Sequence, residues 1–168
     1  MKKFTNAKAL TTAGVIAALY AALTYAAAGL GIAYGPIQFR FSEALTVLPI
    51  FTPAAIPGLA VGCLIANLAS FNPIDLLFGT AATLIAALLT ARFKNIKTFG
   101  APLLSLFPPV IMNALLVGLE MSLFYLDSFT LGGFIISFME VGVGQLLVCY
   151  GLGLPLYFAL EKHKRIFL

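Results

Sequence analysis

The sequence predicts an all-α membrane protein with six transmembrane segments, two of them short, in one integral membrane domain over residues 1–168. Hydrophobic residues make up 61% of the chain and charged residues only 10%, whereas soluble domains carry roughly 25% charged residues. The basic residues fall in three short clusters between long uncharged stretches. That pattern is typical of membrane topology and not of a nucleic-acid-binding face. We therefore expect the lipid bilayer as a partner, and no nucleic acid.

Glycines, prolines and charges divide the chain into its segments. A helix needs about 20 residues to cross the hydrocarbon, and the first one ends where Gly35 and Pro36 interrupt it. The stretch 43–69 is too long for one crossing and too short for two full ones, and we expect two short crossings there. The predicted segments lie near residues 9–31, 43–50, 54–69, 74–92, 101–125 and 132–160. The length of the last one implies tilt.

The basic clusters predict the topology. Lysine and arginine concentrate on the cytoplasmic side of membranes. The clusters are Lys2, Lys3 and Lys8; Arg92, Lys94 and Lys97; and Lys162, Lys164 and Arg165. All three clusters can lie on one side only if an even number of crossings separates the first cluster from the second. The two short crossings satisfy this condition, so both termini are expected in the cytoplasm. The short second segment must then be sheltered by protein or lie beside a water-filled cavity.

With this topology, five of the six acidic residues fall at the outer ends or in the outer third of the helices, and only Glu161 lies inside. A charge in hydrocarbon costs at least roughly 2.5 kcal/mol and usually faces a cavity or a partner, so a pocket open to the outside is predicted. The inner half is nearly all Ala, Leu, Ile and Gly, which indicates a cup and not a channel. The candidate binding residues are Arg40, Glu43, Asn67, Asn72, Asp75, Asn113, Glu120, Glu140 and Gln145.

Several of these residues also have a structural interpretation. Asp75 could simply be hydrated at a helix end. Arg40 and Glu43 are three residues apart and could form an ion pair that pins the loop, with Ser42 capping the short helix. Tyr34 is more typical of an interface or packing aromatic, although its ring could stack on a flat ligand.

Helix one carries Ala13, Ala17 and Ala21 at four-residue spacing. A stripe of small residues lets another helix approach closely, because packing is what joins helices in lipid. The sequence leaves open whether this stripe meets a partner protein or packs inside the chain.

Motifs for catalysis are absent from the sequence. It contains no G-x-x-x-x-G-K-[ST] loop, no H-E-x-x-H and no G-x-S-x-G, and its one histidine is His163 near the C-terminus. We therefore expect no enzyme, no catalytic residue, no metal and no cofactor.

The most specific string in the chain is R-x-S-E-A-L-T-x-L-P at residues 40–49, within G-P-I-Q-F-R-F-S-E-A-L-T-V-L-P at 35–49. It is followed by A-I-P-G-L at 55–59 and G-C-L-I-A-N at 62–67. Together these resemble the queuosine-precursor transporter (QueT) family of substrate-binding S components of energy-coupling-factor transporters. The resemblance covers essentially the whole chain.

The resemblance implies a multi-pass protein of the bacterial inner membrane that captures a small solute from outside. It also implies partners, namely a transmembrane coupling subunit with two ATPases, which meet the Ala13, Ala17 and Ala21 face of helix one. Transport in the family is thought to proceed by toppling of the S component in the bilayer. The alternative from a different class is a self-sufficient facilitator or channel that acts as an oligomer.

The implied substrate is a 7-deazaguanine with a cyano or aminomethyl group, or queuine. A carboxylate accepts the adjacent N–H donors of a guanine edge together, and we expect Glu120 or Glu140 in this role. An aminomethyl cation would need a second carboxylate, such as Glu43 or Asp75. The amide side chains would form hydrogen bonds with the carbonyl group and ring nitrogens of the ligand, and an aromatic side chain would stack on the face of its ring.

Overall fold

A computed structural model describes residues 7–34, 37–68, 73–126 and 128–163. Over this part of the chain the fold is helical, without a β-strand. The elements are α1 (Ala7–Gly29), a 3₁₀ helix (Phe41–Ile50), α2 (Ala55–Leu68), α3 (Pro73–Phe93), α4 (Leu103–Phe124), α5 (Leu131–Gly151) and α6 (Gly153–Glu161). The candidate binding residue Asn72 lies outside the described residues.

The six predicted segments are confirmed. Four spans are long and apolar enough to cross a membrane, namely α1, α3, α4 and the continuous stretch Leu131–Glu161, while the 3₁₀ helix and α2 are the two short apolar segments. Their bounds agree with the predicted ones within two residues, except that the last segment is interrupted at Leu152, between α5 and α6. Large apolar side chains such as Leu77 and Leu88 are exposed on the helix surfaces, as expected where lipid surrounds them. The chain is a multi-pass membrane protein.

Small residues let α1 and α2 pack closely. A Cβ atom on Gly58 would lie 2.8 Å from the backbone oxygen of Ala13, and one on Gly62 would lie 2.8 Å from that of Ala17. This is the small-xxx-small contact of membrane helices. Ala17 and Ala21 are only 5% and 6% exposed. The stripe predicted as a possible partner interface thus packs inside the chain, which is the alternative that the sequence left open.

The 3₁₀ helix lies at the centre of the fold. Its ten residues are unusually many for this helix type, which rarely exceeds four. All residues from Ser42 to Pro49 are buried, and the helix packs against each of the six α-helices. Because surrounding helices cover its backbone, a segment too short to span the bilayer avoids lipid. The prediction that the short second segment is sheltered by protein is confirmed.

Basic residues from distant parts of the chain meet at one end of the bundle. Lys97, in the turn after α3, forms an ion pair of 3.5 Å with Glu161 at the end of α6. Lys8, at the start of α1, borders an apolar groove together with Leu160 of α6. Among the described residues, Lys8 of the first cluster and Lys97 of the second therefore both lie near the end of α6, where the third cluster begins. The opposite end is formed by the loop after α1, the start of α3, the end of α4 and the start of α5.

Candidate substrate-binding site

A cavity of about 540 Å³ lies at the end of the bundle opposite the basic residues. Its volume falls within the range of small-molecule sites, about 300–1,000 Å³. The apolar part of the wall includes Val117, Met121, Leu126 and Ile136. The polar part comprises Tyr34, Gln38, Asp75, Tyr125, Ser137 and Glu140. Among the described residues that line the cavity, two are acidic and none is basic.

Arg40 holds one side of the cavity in place. It is 4% exposed, and it donates through Nε to the backbone oxygen of Ala33 at 3.2 Å and through Nη1 to Asn67 Oδ1 at 3.1 Å. Its guanidinium lies over the ring of Tyr34, 5.0 Å from the centroid. Asn67 Nδ2 in turn donates to the backbone oxygen of Asp75 at 3.0 Å. This chain of contacts ties Tyr34 and Asp75 to the protein framework.

Asp75 connects the cavity to a buried carboxyl group. The Tyr125 hydroxyl donates to Asp75 Oδ1 at 3.0 Å. The side chain of Glu120, which is 1% exposed, forms a hydrogen bond with Asp75. The other Glu120 oxygen, Oε1, is buried and has no hydrogen-bond partner in the described structure. An unsatisfied buried acceptor costs about 1–3 kcal/mol, and Glu120, which does not line the cavity itself, keeps one open acceptor beside a residue of its wall.

Glu140 contributes the second carboxylate of the cavity wall. It comes from α5 and Asp75 comes from α3, two helices that both pack against α4. Glu140 is half-buried, and no hydrogen bond or ion pair joins its side chain to another described residue. The structure therefore brings two of the predicted acids to one cavity, on separate helices.

Gly144 allows the loop before the 3₁₀ helix to rest directly on α5. A Cβ atom on Gly144 would lie 2.5 Å from the backbone oxygen of Gln38. Any larger residue would push this loop away from α5. Gln38, which is 8% exposed, reaches the cavity wall because of this close approach.

Of the eight predicted site residues that the structure describes, only Asp75 and Glu140 line the cavity. Arg40, Asn67 and Glu120 contact residues of the wall without lining it, and the other three, Glu43, Asn113 and Gln145, bond elsewhere in the bundle. Glu43 accepts a hydrogen bond from the Tyr20 hydroxyl. Asn113 donates to the backbone oxygen of Pro109 at 2.9 Å and to Gln145 Oε1 at 3.5 Å. These side chains form hydrogen bonds inside the bundle, whereas the second oxygen of Glu43, Oε2, is buried without a hydrogen-bond partner among the described residues.

The structural ion pair considered for Arg40 and Glu43 does not form. Arg40 instead donates hydrogen bonds to Asn67 and to the loop, and Glu43 accepts one from Tyr20. Nor does Ser42 cap the short helix, since the cap position is Arg40 and lacks a side-chain hydrogen bond there. Ser42 instead accepts from the Thr24 hydroxyl at 2.7 Å. Arg40 thus contacts α2, while Glu43 and Ser42 contact α1.

Gln38, Tyr125 and Ser137 line the cavity but were not predicted from the sequence, and Tyr34, for which packing was favoured, lines it as well. Gln38 lies within the string 35–49 that carries the family resemblance, and this is the one signal that could have singled it out. Among the described residues, no three His, Cys, Asp or Glu side chains are grouped so that they could hold a metal ion.

The fold and the cavity define a multi-pass helical membrane protein with an acidic small-molecule pocket at one end. A family model described as QueT transporter matches residues 10–162, and the chain belongs to this transporter family. The Queuosine precursor transporter QueT of Lactococcus lactis subsp. cremoris is 39% identical over 90 residues, 51% of this chain and 53% of the relative. The match thus spans about half the length of this relative. No solved structure is significantly similar to the chain.

Proposed function

We propose that this chain is the membrane-embedded substrate-binding component of an energy-coupling-factor importer and captures a queuosine precursor of the 7-deazaguanine type. Family membership and the relative's name support this substrate. The observation that carries the proposal is the 540 Å³ cavity at the end opposite the basic residues. If that basic end faces the cytoplasm of a bacterial cell, the cavity opens to the outside of the inner membrane, where a nutrient arrives.

The recognition chemistry follows from the carboxyl groups beside the cavity. A deazaguanine edge presents two adjacent N–H donors, which a carboxyl group accepts together in strong charge-assisted bonds. Glu120 Oε1 lacks a partner, and its neighbour Asp75 lies in the wall. We assign the guanine edge to this pair. Gln38 and Ser137 then meet the carbonyl and ring nitrogens, and Tyr34 stacks on the ring face.

The energy for uptake comes from partner subunits in this proposal, because the sequence has no loop for ATP. We place the coupling subunit on α1. Since α2 already covers the face that includes Ala17, the docking face is the neighbouring exposed one. Its small residues are Gly14, Ala18, Ala22 and Ala26.

Ligand binding to the purified full chain tests the site. Wild-type protein in nanodiscs should bind 7-aminomethyl-7-deazaguanine at about one to one in titration calorimetry. Glu120→Ala should weaken binding by at least about tenfold, because it removes the open Oε1 acceptor and leaves a ligand N–H without a partner. The control is Glu161→Ala, at the opposite end, which should bind like wild type. Unchanged affinity of the Glu120→Ala protein would refute the assignment.

Transport assays test the partners. Proteoliposomes that contain the chain together with a coupling subunit and two ATPases should take up the labelled deazaguanine only when ATP is supplied. Proteoliposomes with the chain alone should show binding without uptake. Uptake by the chain alone would instead favour the facilitator, and the importer proposal would fall.

A further inference from the structure

We infer that Glu140 makes the site selective for a ligand that carries a cationic group, such as a primary ammonium, over a neutral ligand with the same ring. This inference rests on the proposed function and adds a determinant of specificity to it. It starts from the charges in the cavity wall and from Glu140, an acidic side chain of that wall with no hydrogen-bond or ion-pair partner among the described residues.

The cavity has an excess of negative groups. Asp75 and Glu140 line it, and Glu120 lies directly behind Asp75. Arg40 lies over the ring of Tyr34 in the wall, but its guanidinium is buried and already donates to Asn67 and the loop. Because no basic residue lines the described wall, the protein itself does not neutralise the carboxylate of Glu140.

An unpaired carboxylate at membrane depth is costly and typically marks a functional site. Glu140 lies nine residues after the first residue of α5, about 14 Å along the helix at 1.5 Å per residue. It is half-buried and has no partner among the described residues. A structural role would require a protein donor, whereas a ligand cation would satisfy Glu140 only when the site is occupied.

The positions of the acids match the shape of the ligand. In a 7-deazaguanine the N–H edge lies on one ring and the 7-substituent lies on the other, so the two groups point away from each other. Asp75 and Glu120 come from α3 and α4, and Glu140 comes from α5. With the edge of a flat ligand at Asp75 and Glu120, the inference places its substituent at Glu140, on a third helix of the cavity wall.

Three ligands with one ring system test the inference. Titration calorimetry on the full chain in nanodiscs would compare 7-aminomethyl-7-deazaguanine, which is cationic, with the neutral 7-hydroxymethyl and 7-cyano compounds. Wild type should bind the aminomethyl compound at least about tenfold more tightly than the hydroxymethyl compound of similar size. In Glu140→Gln this preference should fall to about threefold or less, while affinity for both neutral ligands stays within about threefold of wild type.

The outcomes separate this inference from the proposed function. Wild type that binds all three ligands equally overturns the selective role of Glu140 and leaves the deazaguanine site standing, and this measurement needs no variant. If Glu140→Gln weakens all three ligands alike, Glu140 binds the common ring and the inference is wrong. If wild type binds none of them, the proposed function fails and the inference fails with it. Binding of a neutral ligand by Glu140→Gln also shows that the variant is folded.

Discussion

The two ends of the bundle use the same residue types in opposite ways. At the basic end, Lys97 and Glu161 form an ion pair with side chains 47% and 35% exposed. At the cavity end, Arg40 and Glu120 are 4% and 1% exposed. Arg40 donates hydrogen bonds to a backbone oxygen and to the side-chain amide of Asn67, and one oxygen of Glu120 has no partner among the described residues.

This difference follows from the cost of desolvation. An exposed ion pair is screened by water and is worth about 0–1 kcal/mol, so the basic end contributes to topology more than to stability. Buried charges have lost their water and depend on every contact that remains. The cavity end should therefore be sensitive to single substitutions in both stability and binding, and the basic end tolerant.

Removal of Arg40 should give the largest effect. Arg40→Ala takes two hydrogen bonds from Asn67 and Ala33 and leaves the nearby carboxyl groups without a cation, so we expect a loss of about 3–5 kcal/mol in the free energy of unfolding. Denaturant titration in mixed micelles would measure it. Arg92→Ala, which removes an exposed arginine of α3, is the control and should change the stability by less than about 0.5 kcal/mol. Equal losses in the two variants would mean that burial does not distinguish the ends.

A methyl group on Gly144 should come next. In Gly144→Ala the new Cβ would lie 2.5 Å from the backbone oxygen of Gln38, so the loop must shift, at a cost of about 1–3 kcal/mol. Affinity for the deazaguanine should fall with it, because Gln38 and the neighbouring loop form the cavity wall.

The control for this variant lies on the same helix. In Gly142→Ala the new Cβ would make an ordinary contact of 3.5 Å with Ala114, and stability and ligand affinity should stay near wild type. Thermal unfolding of both proteins with and without ligand would compare them. A Gly144→Ala protein that behaves like Gly142→Ala would show that the loop does not depend on this close approach.

The smallest effect is expected at the basic end. Glu161→Gln removes the charge that pairs with Lys97, and the free energy of unfolding should fall by at most about 1 kcal/mol, and by less in high salt. Ligand affinity should not change. A loss comparable to that of Arg40→Ala would show that this ion pair fastens the turn after α3 to α6 more strongly than its exposure indicates.

The sequence predicted which types of residue form the candidate site, but it predicted less well which individual residues line the cavity. Asp75, Glu120 and Glu140 could be singled out because charges in apolar helices are few and costly. Glu43, Asn113 and Gln145 have the same signature, yet they bond within the protein. Gln38 and Tyr125 lack this signature because they lie outside the apolar helices, where polar residues are common. Spacing alone does not tell a ligand contact from an internal hydrogen bond.

The small residues of α1 are a second case in which spacing alone does not decide between two interpretations. Ala13, Ala17 and Ala21 differ from the neighbouring Ala18 and Ala22 by one position along the helix, and both sets have the spacing that favours close packing. Gly58 and Gly62 of α2 decide between them, because α2 lies against Ala13 and Ala17.

The amino-acid sequence alone determined the class of protein, the six segments and the separation of acidic from basic ends. These depend on the length of apolar stretches and the order of charges, which are properties of the chain in one dimension. Only the tertiary structure decided which carboxyl groups border the cavity and which face of α1 stays exposed. Those outcomes depend on how each helix is rotated about its axis, and that rotation is set by contacts between residues far apart in the sequence, such as Gly144 with Gln38 and Gly62 with Ala17.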